Sequence, residues 1–340
     1  MKRILLIYLL NLLCFSANAQ QRPHYTQYIL NQYILNPALS GIENYTDLKI
    51  SGRDQWVGLN GAPRTAYISI HSPLGKKDYK STATSFAVPG ENPRGNAYWE
   101  NYTASEPHHG VGLTVLNDRT GNFNRFSAMA SYAYHLGLSP RTNLSAGFSA
   151  GISRWGRAVD KADFGGGVNT DPAQNNDNLN GSMKPDLAAG LWLYSADYFA
   201  GVSVQQILPQ NLGTINGADV PAKLVPHFFA TAGYRYLLNE DINALPSIMV
   251  KYVSGTPTTP QVDLNIKLQY QDLLWVGGSY RVQDGYAAMM GLNIGNTFNI
   301  GYAYDFTSSR LNTTSRGTHE IIIGFLIGNR YGDTCPRNVW

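Results

Sequence analysis

Long stretches of this chain alternate apolar and polar residues with a period of two. In Gln261 to Tyr270, Val262, Leu264, Ile266, Leu268 and Tyr270 fall on one face, and Gln261, Asp263, Asn265, Lys267 and Gln269 on the other. Thr297 to Phe306 repeats the pattern, with Phe298, Ile300, Tyr302, Tyr304 and Phe306 opposed to Asn299, Gly301, Ala303 and Asp305. Leu144, Ala146, Phe148, Ala150 and Ile152 likewise oppose Ser145, Gly147, Ser149, Gly151 and Ser153. Successive side chains of a strand point to opposite faces, so this period marks strands whose two faces meet different surroundings. About fourteen such segments are predicted, each near the ~10 residues that a tilted strand needs to cross a bilayer. They run over 46–55, 64–72, 109–117, 123–137, 142–155, 185–195, 198–207, 226–238, 246–254, 260–270, 273–282, 286–294, 297–306 and 317–328. Turn signals separate them, among them Ser139-Pro140, Gln271-Asp272, Asp284-Gly285 and Gly295-Asn296.

The composition of the two faces decides what the sheet is built for. Only 14% of the chain is charged, against roughly 25% in an average soluble domain. The polar faces are mainly Ser, Gly, Ala, Asn and Gln, with scattered Asp263, Lys267, Arg235, Arg281, Asp305 and Glu320. A soluble sandwich, the alternative, turns such faces to water and covers them with Lys and Glu. Small residues instead suit the crowded interior of a closed barrel, where scattered charges pair across the lumen. The apolar faces carry aromatics toward strand ends, as at Tyr132/Tyr134 and Tyr234/Tyr236, which suits membrane-interface girdles. The expected fold is therefore all-β: a transmembrane antiparallel β-barrel of meander topology, closed by an even strand number. The aromatic content of 12% excludes a disordered chain, two cysteines exclude a disulfide scaffold, and a net charge of +3 gives no reason to expect nucleic acid.

The ends of the chain read differently from the sheet. Met1-Lys2-Arg3, an apolar run from Ile4 to Phe15 and Ala17-Asn18-Ala19 form a signal peptide cleaved after Ala19. That run is well short of the ~18 to 20 residues of a spanning helix. The expected organisation is a signal peptide 1–19, an N-terminal segment 20–45, a barrel 46–328 and a tail 329–340 that holds Cys335, the one mature cysteine. With a periplasmic N-terminus, connections after even strands should be short and those after odd strands long. The stretches 138–141, 196–197, 239–245, 271–272 and 295–296 are short, whereas 156–184, 208–225 and 307–316 are long. Pro73 to His108 breaks the rule, either as a docking element or as an unrecognised strand pair.

Two motifs stand before and after the first strand. Tyr25-Thr26-Gln27-Tyr28 leads through Asn31 to Asn36-Pro37-Ala38 and Gly41, a mixture of aromatics and amides. Arg53-Asp54-Gln55-Trp56-Val57-Gly58 follows, and then Gly61-Ala62-Pro63-Arg64-Thr65. Together with Pro73-Leu74-Gly75, Gly110-Val111-Gly112 and the closing His319-Glu320-Ile321, they closely resemble the PorP/SprF family of type IX secretion proteins. The resemblance covers essentially the whole mature chain; the stretch 78–107 is longer than the family's usual link. It implies a non-enzymatic outer-membrane barrel of the secretion and gliding machinery of Bacteroidetes-type bacteria. Implied partners are a large adhesin-like cargo, periplasmic or lipoprotein subunits of the machine, and outer-membrane lipid. No catalytic residue, cofactor or metal is implied.

The motif residues also have a reading of their own. Tyr25, Tyr28, Ile29, Leu30, Tyr33, Ile34 and Leu35 are too apolar to leave in water, so the segment is expected to plug the barrel mouth, with its amides bonded to backbone. Arg53, Gln55 and Trp56 are expected as a lumenal polar cluster closing the first hairpin. The binding or structural set is thus Tyr25, Thr26, Gln27, Asn31, Asn36, Pro37, Gly41, Arg53, Gln55, Trp56, Gly58, Gly61 and Pro63. Other constellations are weaker. Glu106 with His108-His109 lacks a third spaced metal ligand and is expected in an exposed loop. The run Asn169 to Asn180 lacks the ligand spacing of a calcium loop, and Gly165-Gly166-Gly167 has no Lys-Ser/Thr after it. Ser131 and His135 share a strand face without a convergent third group, which leaves a lipid hydrolase unsupported. A diffusion channel using Asp263, Asn265, Lys267 and Gln269 is the alternative function.

Overall fold

The computed structural model describes residues 25–76, 102–157, 183–254 and 259–329, apart from 122, 212–213, 216–217, 220–222, 272, 283, 296 and 308–314. Among the described residues, fourteen strands form the barrel wall. The first seven are β1 (Thr46–Asp54), β2 (Arg64–Leu74), β3 (His108–Thr120), β4 (Phe123–Ser139), β5 (Thr142–Arg157), β6 (Met183–Tyr194) and β7 (Tyr198–Gln205). The others are β8 (His227–Tyr234, extended by Tyr236–Leu237), β9 (Ile242–Val253), β10 (Gln261–Tyr270), β11 (Leu274–Arg281), β12 (Gly285–Ile294), β13 (Phe298–Thr307) and β14 (Thr318–Ile327). Each pairs antiparallel with its sequence neighbours, and β1 pairs with β14 from Thr46↔Ile327 to Asp54↔His319. The meander is therefore closed and has no free edge. No described helix is long and apolar enough to cross a membrane.

Which face points inward separates the barrel from a sandwich. On β10 the polar side chains Asp263, Asn265, Lys267 and Gln269 are 1–6% exposed, whereas Leu264, Ile266, Leu268 and Tyr270 are 40–50% exposed. That is the reverse of a water-soluble sheet, where the apolar face is the buried one. The exterior carries two aromatic belts. Tyr132, Tyr134, Tyr234, Tyr236 and Tyr270 lie toward one end, and Tyr252, Tyr280, Tyr286 and Phe306 toward the other. Lipid is the surrounding that satisfies this surface.

The short connections 140–141, 195–197, 238–241, 271–273 and 295–297 gather at one end of the barrel, here the turn end. The connections after β1, β5, β7 and β13 reach the opposite, loop end. Three sequence expectations need revision. Strand β9 begins at Ile242, earlier than 246, and passes through Pro246. This is tolerated because the ladder to β8 lapses between Gly233↔Ser247 and Tyr236↔Ala244, where no N–H is required of residue 246. His108 and His109 belong to β3, with His108 buried and His109 outward, and do not form an exposed loop. The third concerns the N-terminal segment, whose course is given below. Of the long link after β2, residues 102–107 fold back on the turn end, where Ala104 N–H donates to Pro140 O at 2.7 Å and Asn143 binds the Tyr102 hydroxyl at 3.1 Å. Residues 77–101 of the 73–108 stretch, for which an unrecognised strand pair was considered, the Asn169–Asn180 run and Gly165–Gly167 lie outside the described residues.

An outward-facing charge tests the lipid assignment. Ile266→Arg should lower the unfolding free energy in lipid vesicles by about 2–4 kcal/mol, read by denaturant titration. On a water-facing surface the same change would move it by about 0.5 kcal/mol or less.

Candidate functional site

The N-terminal segment does not stop at the barrel mouth; it runs through the lumen from the loop end to the turn end. Its described part starts with Tyr25, edge-on to Tyr67, and Thr26, bonded to Arg53, and joins β1 at Thr46 at the opposite end. Three short 3-10 turns compact it: Gln27–Leu30, Gln32–Ile34 and Pro37–Leu39. The Asn36 side chain accepts from Ala38 N–H at 3.0 Å to start the last of these, with Pro37 at a position that needs no N–H donor. Tyr28, Ile29, Tyr33, Leu35, Leu39 and Ile42 are all 6% exposed or less, so the apolar residues found their cover inside the barrel.

The wall supplies partners for a backbone that forms no sheet. Ser145 and Ser203 hydroxyls donate to Ala38 O and Leu35 O at 2.7 Å each, and Gln205 donates to Leu35 O at 2.8 Å. From the segment, Asn31 donates to Ser69 at 2.8 Å and Asn36 to Leu191 O at 3.0 Å. Near the turn end, three buried imidazoles converge on Ser40 and Gly41. His135 Nε2 lies 2.8 Å from Ser40 O, His108 Nε2 3.2 Å from Gly41 O, and His71 Nδ1 accepts from Gly41 N–H at 3.3 Å. Ser131 is bound by Tyr33 and by Ser40 at 2.6 and 2.8 Å. Ser131 and His135 are thus both engaged by the segment, and not by each other. The small residues of the polar faces are explained by this contact. A Cβ on Gly110 would meet Ser40 O at 1.8 Å, so only glycine lets the segment lie against β3.

At the loop end the segment is held by charge. Arg53 donates to Glu320 Oε2 at 2.8 Å, to Asp305 Oδ2 at 2.7 Å and to the Thr26 hydroxyl at 2.6 Å. That hydroxyl donates onward to Asp305 Oδ2 at 2.7 Å, and the Thr26 and Gln27 N–H groups donate to Glu320 at 2.8 and 3.1 Å. The Gln27 side-chain amide adds a bond to Glu320 O at 2.8 Å. Arg53 and Glu320 are register partners across the β1–β14 closure, and Asp305 is on β13. One cluster therefore joins the start of the segment to the first strand and the last two.

Beside this cluster a cavity of about 470 Å³ opens, lined by Arg53, Gln55, Trp56, Arg281, Asp305 and Thr318 among others. Deeper in the lumen two further cavities measure about 40 and 10 Å³. The β1–β2 loop forms one wall. Trp56 adopts a left-handed φ of 53° and is held there by its N–H bond to the Thr318 hydroxyl at 3.1 Å, while Val57 N–H bonds Gly317 O at 2.9 Å. Gln55 N–H donates to Pro63 O at 2.9 Å; Gly58 and Gly61, with φ of 100° and 73°, make the intervening turns. The predicted residues thus fall into three places. Tyr25, Thr26, Gln27 and Arg53 form the charged anchor, Gln55, Trp56, Gly58, Gly61 and Pro63 the rim, and Asn31, Asn36, Pro37 and Gly41 the threaded part. Asp305 and Glu320, read in the sequence as scattered lumenal charges, are the partners of Arg53. His71, Ser203 and Gln205 were not singled out in the sequence; their only signal there is an inward position on an alternating strand.

Removing the guanidinium should be costly, because Asp305 and Glu320 would remain buried without a countercharge. Arg53→Leu should destabilise the folded barrel by about 3–5 kcal/mol and expose the segment to protease. The triple replacement Arg53→Leu, Asp305→Leu, Glu320→Leu should recover much of that loss, as measured by denaturant midpoint.

No curated protein matches the chain. Solved barrels that resemble it include a toluene transporter of Ralstonia pickettii, TbuX, at 11% identity and a TM-score of 0.47 over 89% of this chain and 93% of that one. The toluene transporter TodX of Pseudomonas putida gives 10% and 0.48 over 90% and 94%. The Acinetobacter baumannii outer membrane protein Omp33 gives 9% and 0.44 over 85% and 100%. The family of type IX secretion system membrane proteins described as PorP/SprF matches residues 17–325. A match over that length settles the relationship: this chain is a member of the PorP/SprF family, an outer-membrane barrel of type IX secretion.

Proposed function

We propose that this barrel assists the secretion or surface anchoring of one large adhesin-like cargo, as a binding scaffold without catalysis. The observation that carries the reading is the filled lumen. The chain's own residues 25–45 occupy the passage, and the only sizeable space among the described cavities is the 470 Å³ vestibule at the loop end. A wall closed in this way is suited to presenting loops and a rim rather than to passing solute. The loop end is taken to face outward, since long loops of such barrels are extracellular. Periplasmic or lipoprotein subunits of the secretion machine would then meet the turn end, where residues 102–107 dock. Export would follow cleavage after Ala19. The lumenal side chains that prompted a channel reading are partly taken up by the segment, Asn265 by the Tyr28 hydroxyl.

Deleting the gene should abolish surface display of one large cargo and leave general solute uptake unchanged. Retained display with altered uptake would contradict the proposal. In planar bilayers the purified protein should conduct little; steady channels would favour the diffusion reading.

A further inference from the structure

The outside of the barrel carries one feature that neither lipid burial nor the lumenal site explains. Arg64 on β2, Arg119 on β3 and Arg154 on β5 all project outward at the loop end, and all are exposed. Arg64 and Arg119 are direct register partners, so two like charges stand opposite each other on one face, an arrangement that destabilises a sheet when nothing neutralises it. Arg154 belongs to the next outward row, in register with Phe126, itself opposite Asn117. Asn124, opposite Arg119, and Asn117 add exposed amides to the same patch. The nearby acid is Asp54, which takes Arg64 Nε at 3.2 Å and leaves the two terminal nitrogens of that guanidinium unengaged. Among the described residues Arg119 and Arg154 have no ion pair. The lumenal arginines differ: Arg53, Arg125 and Arg281 each face a carboxylate.

Below the arginines the surface turns apolar. Ile68, Leu113, Phe148 and Ile152 are 41–56% exposed on the same outward faces. Cations therefore sit at the boundary with acyl-chain surface directly beneath, across four strands that span about 15 Å. Forked guanidiniums bind phosphate oxygens in pairs and keep their charge under all conditions. We propose that Arg64, Arg119 and Arg154, with Asn117 and Asn124, form a binding site for the phosphate groups of a membrane glycolipid headgroup whose acyl chains lie on the apolar surface below. The bound anion offsets the Arg64–Arg119 repulsion, and the lipid becomes an oriented part of the rim next to the loops.

The test uses the full barrel purified in mild detergent, incubated with diphosphoryl lipid A or its dephosphorylated form, and read by lipid retained per protein. The native chain should retain the diphosphoryl form. Arg64→Gln, Arg119→Gln, Arg154→Gln together should weaken retention roughly a hundredfold, with unchanged heat-modifiable mobility showing a folded barrel. The single Arg119→Gln variant, which leaves the Asp54 pair intact, should weaken it by a smaller factor. Equal retention by the native and variant chains, or equal retention of the dephosphorylated lipid, would overturn the site and leave the arginines as solvated rim charges. Displacement by inorganic phosphate alone would assign them to a free anion and likewise overturn the lipid reading.

Discussion

Arg53 is the point on which the rest of the structure depends. Its guanidinium bridges Glu320 on the last strand, Asp305 on the strand before and Thr26 at the head of the lumenal segment. Closing a barrel brings the first and last strands together regardless of their side chains, because an open edge in lipid leaves backbone groups unsatisfied. The cluster adds a specific lock at that closure, and the segment is part of the lock. Ladder, ion pairs and segment therefore support one another. A buried charge group of this kind stabilises only when every member is present, and its value lies in fixing one arrangement over others.

The lumen and the exterior follow from opposite demands on the same strands. Outward positions need only be apolar, whereas inward positions must satisfy an irregular backbone passing close by. Serines, amides and imidazoles at Ser145, Ser203, Gln205, His71 and His135 do this, and Gly110 makes the room. The low overall charge belongs to this design. Little of the surface meets water, and several lumenal charges, such as Arg281 with Asp263 and Asp284, are paired.

Much of this was legible in the amino-acid sequence. The alternation at Gln261–Tyr270 marks a strand, and its small and amide-rich polar partners argue for a lumen rather than water. Of the motif residues, Thr26 and Arg53, 27 positions apart, meet in one cluster. Partnership was harder to read. Nothing local to Asp305 or Glu320 ties them to a residue more than 250 positions away; only the closure of the meander does. Pro246 hid the beginning of β9 because a missing N–H argues against a strand until the lapse in the neighbouring ladder is known. The segment predicted over 109–117 already held His109, but the loop reading of Glu106, His108 and His109 missed that the strand starts at His108, whose side chain is buried. The segment's full passage through the barrel was not visible either, since its apolar residues require cover without saying where.

The account depends most on the segment lying inside the lumen, and a cysteine pair addresses that directly. The Ser40 and Ser131 hydroxyl oxygens are 2.8 Å apart. In a Cys335→Ser background, Ser40→Cys with Ser131→Cys should form an internal disulfide in intact membranes, and neither thiol should react with a bulky maleimide before reduction. Free labelling of both thiols in the folded barrel, with no disulfide formed under oxidising conditions, would place the segment elsewhere and contradict the account.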